Sequence, residues 1–224
     1  MLTDLRNKVD FFLRNKTRFS RKGFEEKDSE LIERNGLENL YTKDILTKYF
    51  SQIPKKSVEV LDIGCKNWFY VKGEYDFFKG FSEEVFLDGV ELDAYRLYSN
   101  FYTRYEVAKF YTKGLQNTNY IAGNLLDIDK KYDYIVWFLP FVIQEPHEYW
   151  GLPKKYFYPE TLLVHAYNLL KDKGEMLIIN QGEEEAKAQI NLLENAKINY
   201  KSLGLVESDF YEYNYQRYGF LIKN

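Results

Sequence analysis

The sequence predicts an α/β protein built on one doubly wound, mostly parallel sheet, and three observations predict it. Short runs rich in Val, Ile, Leu and aromatic residues alternate, from Ser57 onward, with longer stretches whose apolar residues recur at helical spacing. Several of these runs close on a glycine or an acid, as strands do where a buried segment meets a ligand crevice. The last two runs are joined by a short polar connection with no helical pattern, which fits an antiparallel hairpin on the sheet edge. At 224 residues the chain suits one domain with an extension. Residues 1–55 read as an N-terminal helical extension and 56–224 as the domain.

In order along the chain, Leu5, Val9, Phe12 and Leu13 recur at helical spacing over 3–15, with Thr3 or Asp4 placed as N-cap. Arg14, Lys16, Arg18, Arg21 and Lys22 follow as a basic run, read as a solvated linker in preference to a phosphate-contacting arm. A second helix is expected over 37–50 through Leu40, Ile45, Leu46, Tyr49 and Phe50, ended by Pro54. Strands are expected at 58–63, 85–91, 120–122, 132–138, 175–179, 200–206 and 216–222, with helices at 71–78, 94–112, 159–170 and 183–196. Right-handed crossovers between such elements place ligands at the carboxyl ends of the strands.

Composition narrows the function classes. With 31 basic and 34 acidic residues the net charge is −3, which offers no global attraction to nucleic acid or an anionic bilayer and leaves only a local patch. The single Cys65 makes no internal disulfide, and no stretch approaches the ~18 consecutive apolar residues of a membrane helix, so a cytoplasmic protein is expected. His147 and His165 lie far from Cys65 in sequence, so no metal site is expected. The chain holds 21 Tyr, 17 Phe and 3 Trp. AT-rich coding raises the same residues, but each buried tyrosine hydroxyl still needs a partner, so many of these rings belong at the core boundary or in a groove.

Three strand ends carry the chemistry. Leu61-Asp62-Ile63-Gly64-Cys65 closes the first strand with a glycine that lets the backbone turn and a ligand approach. Gly89-Val90-Glu91-Leu92-Asp93 places carboxylates at the second, where an acid can accept ribose hydroxyls. Ala122-Gly123-Asn124-Leu125 closes the third with an amide suited to the edge of an adenine.

In this order and spacing the chain, from about Val58 to Lys223, resembles the class I S-adenosylmethionine-dependent methyltransferases, whose sheet is Rossmann-like and seven-stranded. The run Asn168-Leu169-Leu170-Lys171-Asp172-Lys173-Gly174 resembles that family's turn into its fifth strand, and Gly219-Phe220-Leu221-Ile222 its last antiparallel strand. The resemblance implies S-adenosylmethionine as cofactor, held by Asp62, Gly64, Glu91, Leu92, Asn124, Leu125 and Phe138. It also implies a methyl acceptor, small or macromolecular. Two departures stand out. Lys66 and Trp68 occupy positions where the family places glycines, so bulky side chains either obstruct the methionine end or point away while the backbone keeps its course. After strand 4 the chain has Phe138-Leu139-Pro140-Phe141 in place of Asn/Asp-Pro-Pro-aromatic, which argues against methylation of an exocyclic amine in the usual arrangement.

His147, in the segment where an acceptor would meet the donor, is the candidate base, with flanking Glu145 and Glu148 positioned in sequence to raise its pKa. The competing reading is a solvated loop histidine. His165 sits among Leu162, Leu163 and Leu169 and reads as packed or capped, and Cys65 as filler of the turn. Two alternatives accompany the methyltransferase reading. One is a catalytically silent module used for protein binding, motivated by the altered glycine loop. The other is a tRNA guanine-N7 methyltransferase-like enzyme, whose Pro-Asp-Pro-Trp signature this chain lacks.

Overall fold

The computed structural model describes residues 29–98 and 101–224, so the helix expected at 3–15 and the basic run after it lie outside the described residues. The chain runs α1 (Ser29–Tyr49), β1 (Lys55–Ile63), α2 (Val71–Lys79), β2 (Ser82–Glu91), α3 (Arg104–Tyr111), β3 (Thr118–Ala122), β4 (Tyr132–Phe138), α4 (Gln144–Tyr149), α5 (Pro159–Asn168), β5 (Leu170–Gln181), α6 (Gly182–Asn195), β6 (Tyr200–Leu205) and β7 (Arg217–Lys223). The seven strands form one sheet in the order β3-β2-β1-β4-β5-β7-β6. Its first five strands pair in parallel, and β7 runs antiparallel to both β5 and β6. All seven strands expected from the sequence are present.

Alternation along β1 explains why the sheet is covered twice. Val58 and Val60 enter one buried cluster with Phe50, Phe77, Phe78 and Tyr134, while Leu61 and Ile63 enter the other with Ile135, Leu163 and Phe220. A strand apolar on both sides belongs at the centre of a parallel sheet, since helices must dry both faces. Two of the buried tyrosine hydroxyls find their partners at the edges of these clusters. Tyr134 donates to the Ser51 carbonyl at 2.7 Å and Tyr132 to Asp88 at 3.1 Å.

Helix α1 begins well before the expected Leu37. Asn39 pins it across the segment that follows β1, donating to the Phe69 carbonyl at 3.1 Å and accepting from the Gly73 amide at 2.7 Å. That docking makes α1 one wall of the site described below.

The single helix expected over 94–112 is corrected. Its first part is a turn that ends in an isolated bridge between Leu97 and Thr103, and the helix starts only at Arg104. Thr103 and Glu106 form a reciprocal capping box, each side chain bonding the other's backbone amide. Thr-x-x-Glu is a start signal that outweighed the apolar periodicity upstream. The segment around His147 is corrected as well, from loop to the short helix α4.

Candidate active site

The connections leaving β1 and β4 diverge, because β1 pairs with β2 on one side and β4 with β5 on the other. Outside the carboxyl ends at this switch point lies a cavity of about 900 Å³. Of the residues singled out from the sequence, Gly64, Glu91, Leu92, Asn124, Leu125, Phe138 and His147 line it, and Asp62 lies beneath the surface.

The loop after β1 turns through left-handed backbone at positions where the sequence carries side chains. Gly64, Lys66 and Trp68 have φ of 71°, 56° and 49°, so two side-chain-bearing residues occupy the left-handed region. Such residues cost about 1–2 kcal/mol each and persist where surrounding contacts fix them. Glu91 Oε2 accepts from the Lys66 amide at 2.9 Å, and the Tyr120 hydroxyl donates to the Lys66 carbonyl. Trp68 neither obstructs the cavity nor points outward. It folds under the loop, 0% exposed, and its indole N–H donates to Glu74 at 2.9 Å. The space it fills exists because residue 89 is glycine: a Cβ there would stand 2.7 Å from the indole ring and 2.9 Å from Cys65 Sγ. Cys65 is accordingly buried filler, with its thiol pushed up by burial.

Glu91 is the most heavily used carboxylate of the site. Its Oε1 accepts from the Asp93 amide at 2.8 Å and from Arg104 at 3.2 Å, leaving Oε2 one further lone pair beyond the Lys66 amide. Asn124 holds local structure: Oδ1 caps the Leu126 amide at 3.1 Å and Nδ2 donates to the Tyr158 hydroxyl at 2.9 Å.

Asp62 faces α2. Its Oδ2 accepts from the Tyr70 hydroxyl at 2.9 Å, and its carboxyl interacts with that of Glu74. Both acids are fully buried, and burial pushes Asp62 up to about 8 and Glu74 well above the usual carboxylate range. Asp62 Oδ1 and Glu74 Oε1 find no donor among the described residues. The upward shifts keep these carboxyls protonated at neutral pH, and a protonated carboxyl can donate to its neighbour.

His147 is 3% exposed, set between Phe141 and Phe157 with ring centroids at 5.5 and 5.4 Å. Neither ring nitrogen has a hydrogen-bond partner among the described residues. Burial lowers its pKa below the ordinary 6.5, with Glu148 opposing the shift. The expected rise is corrected: α4 leaves its glutamates exposed to solvent and buries the imidazole, so desolvation outweighs the neighbouring charge. His165 is held as expected, with Nε2 at 2.9 Å from the Ile128 carbonyl. Sequence reasoning missed Arg104, Glu38, Tyr41 and Tyr213, which also line the cavity. Only the capping box at Thr103 carried a signal, since it places Arg104 at a helix start.

Family models and curated proteins yield no match to the sequence. Solved structures do match in fold. A SAM dependent methyltransferase from Aquifex aeolicus superposes with a TM-score of 0.56 at 16% identity, over 89% of this chain and 95% of that one. A putative S-adenosyl-L-methionine-dependent methyltransferase from Methanococcus maripaludis gives 0.54 at 14% identity, over 92% and 94%. The plantazolicin methyltransferase BpumL, in complex with SAH, gives 0.53 at 15% identity, over 99% and 97%.

Proposed function

We propose that this chain, whose fold is that of the class I methyltransferases, binds S-adenosylmethionine at the carboxyl ends of β1 to β4 and transfers its methyl group to an acceptor held between α1 and residues 140–158. The observation that carries this reading is the convergence of Gly64, Glu91, Asn124 and Phe138, from four strand ends, on one cavity. Its volume of about 900 Å³ sits near the top of the range of small-molecule sites, ~300–1,000 Å³, with room for a cofactor and a second ligand.

The residues present fit the cofactor. Glu91 has an acceptor left for a ribose hydroxyl, and Leu92 and Leu125 offer apolar surface to a base. Gly64 and the left-handed Lys66 keep backbone at the cavity wall where the amino-acid end would lie. Asn124 spends one N–H and one lone pair on the turn and keeps one of each for the edge of the base. Asp62 acts through Tyr70, which lines the cavity above it. When bound, the cofactor supplies an activated methyl group on a sulfonium sulfur. The chain's own part is to align the acceptor, exclude water with Phe138, Phe141 and Phe157, and hold at His147 a neutral imidazole able to take a proton.

Calorimetric titration with S-adenosylmethionine and S-adenosylhomocysteine tests the reading. Both are expected to bind, and Glu91→Ala to weaken binding by about 10- to 100-fold, the worth of a charge-assisted hydrogen bond. Folded protein that binds neither would remove the enzyme reading and leave the silent module.

A further inference from the structure

The segment 140–158 is anchored on one side of the cavity and reaches the other. Its anchor is the buried His147, set between Phe141 and Phe157 after β4. Beyond that anchor the amides of Trp150 and Gly151 donate to the carbonyls of Pro146 and Glu148 at 3.0 and 2.7 Å, so this tip is carried on the end of α4. The tip meets the β1 and β2 side. Lys66 Nζ lies 4.7 Å from the Trp150 ring centroid and Arg104 Cζ 5.9 Å from it. Gly151, at φ 74°, backs onto Arg96, whose Nη2 would stand 3.3 Å from a Cβ there. Because Trp150, Lys66 and Arg104 all line the cavity, the indole bridges its two walls.

The cations beneath this tip are gathered by the carboxylates at the end of β2. Arg104 pairs with Glu91 at 3.2 Å and with Asp93 at 3.5 Å, and Arg96 pairs with Asp93 at 2.5 Å. Glu91 also accepts from the Lys66 amide. The tip is therefore seated on the same residues that hold the acid with a lone pair left for a ribose hydroxyl. Contacts between a cation and an exposed ring are weak, and Trp150 is 41% exposed. Such a seat can open while the buried anchor at His147 stays in place, as segments of unequal local stability do.

We propose that Trp150 is a latch on the cofactor half of the cavity: the tip at 149–151 lifts off Lys66 and Arg104 to admit the cofactor and settles back on them to retain it. The inference rests on the methyltransferase reading for the identity of what is retained. Trp150 is a positioning residue in this scheme, acting through Lys66 and Arg104 and not on the reacting atoms. Its effect belongs to the rate at which the cofactor leaves, since a closed segment slows release.

The test follows release of tritium-labelled S-adenosylhomocysteine from the full chain, chased with excess unlabelled compound, in the parent, Trp150→Ala, Trp150→Phe, Lys66→Met and the Lys66→Met/Trp150→Ala double variant. Trp150→Ala is expected to speed release about 5- to 30-fold, the worth of two cation–ring contacts, and Trp150→Phe to speed it less, because a phenyl ring keeps part of the attraction. Lys66→Met should speed release several-fold, and the double variant should release no faster than Trp150→Ala, as two members of one contact require. A second readout needs no ligand. Trp68 and Trp137 are buried, so acrylamide quenching reports on Trp150, with Trp150→Phe as background. Quenching should rise in Lys66→Met and fall when S-adenosylhomocysteine binds the parent. Equal release from the parent and Trp150→Ala, a double variant that multiplies the single effects, or quenching unmoved by Lys66→Met would each overturn the latch and spare the cofactor reading. Folded parent that binds no S-adenosylhomocysteine overturns both. Should Trp150→Ala fail to fold, Trp150→Phe and Lys66→Met carry the same comparison.

Discussion

A neutral imidazole buried between two phenyl rings behaves differently in acid from a surface histidine, and His147 makes that difference measurable. Because burial lowers its pKa, the unfolded chain takes up a proton below pH 6.5 that the native ring refuses. Native stability therefore falls as the pH drops through 6.5. With only two histidines in the chain, the C2–H resonances are assigned by one variant, His147→Asn. The His147 signal is expected to titrate with a midpoint below 6.5; a midpoint at or above 6.5 would show that the ring is solvated. The expected upward shift has the wrong sign for a physical reason. Glu145 and Glu148 are neighbours along the chain, but six residues interrupted by Pro146 carry no periodicity from which to learn that the glutamates stay solvent-exposed and the histidine is buried.

The loop between β1 and α2 works as one element with the end of β2. Trp68 is the keel of that element, Gly89 the slot it occupies, and Glu91 the staple that holds the left-handed Lys66 above. Two substitutions of opposite sign follow. Gly89→Ala drives a methyl into the indole and is expected to destabilise by about 1–3 kcal/mol, the cost of overpacking. Lys66→Gly relieves a left-handed side chain and is expected to be neutral or to stabilise by up to ~1 kcal/mol. Chemical denaturation of both variants checks the pair, and a Gly89→Ala protein as stable as the parent would show that the loop is not seated on β2. Strand ends, their glycines and their acids were legible because each is announced locally by β-branched runs and a turn residue. Trp68 was not, since a large ring in a glycine position looks like an obstruction until its slot, on another strand, is known. Arg104 was hidden in the same way, its salt bridge to Glu91 depending on a helix start that the apolar pattern of 94–112 masked.

For the molecule as a whole, the buried pair Asp62 and Glu74 ties stability to pH, because it joins the central strand to α2 beneath the cavity. Asp62 is raised from 3.8 to about 8, so the native state holds a proton that the unfolded state releases above about pH 4. Its stabilising contribution is full below that pH and is lost as the pH rises through about 8. Asp133 and Glu175 act in the opposite direction: held below their ordinary values by Lys171, Lys55 and Lys223, they lose their contribution in acid. The two effects predict a stability dome whose alkaline side belongs to the buried pair. One extra native proton corresponds to ~1.4 kcal/mol per pH unit, and a chain of this size melts ~2–4 °C lower for each kcal/mol lost. Thermal melts between pH 6.5 and 8.5 should therefore show a falling midpoint, reduced in slope by Glu74→Gln, whose amide donates to Asp62, and abolished in the double variant with Asp62→Asn. A parent slope that survives the double substitution would place the titrating group elsewhere. The sequence carried no sign of this coupling, since Asp62 reads as a ligand-side acid and nothing in the run 71–78 singles out Glu74. The fold turns both inward, and protonation is then what allows two carboxyls to stay in a core that has no cation to offer them among the described residues.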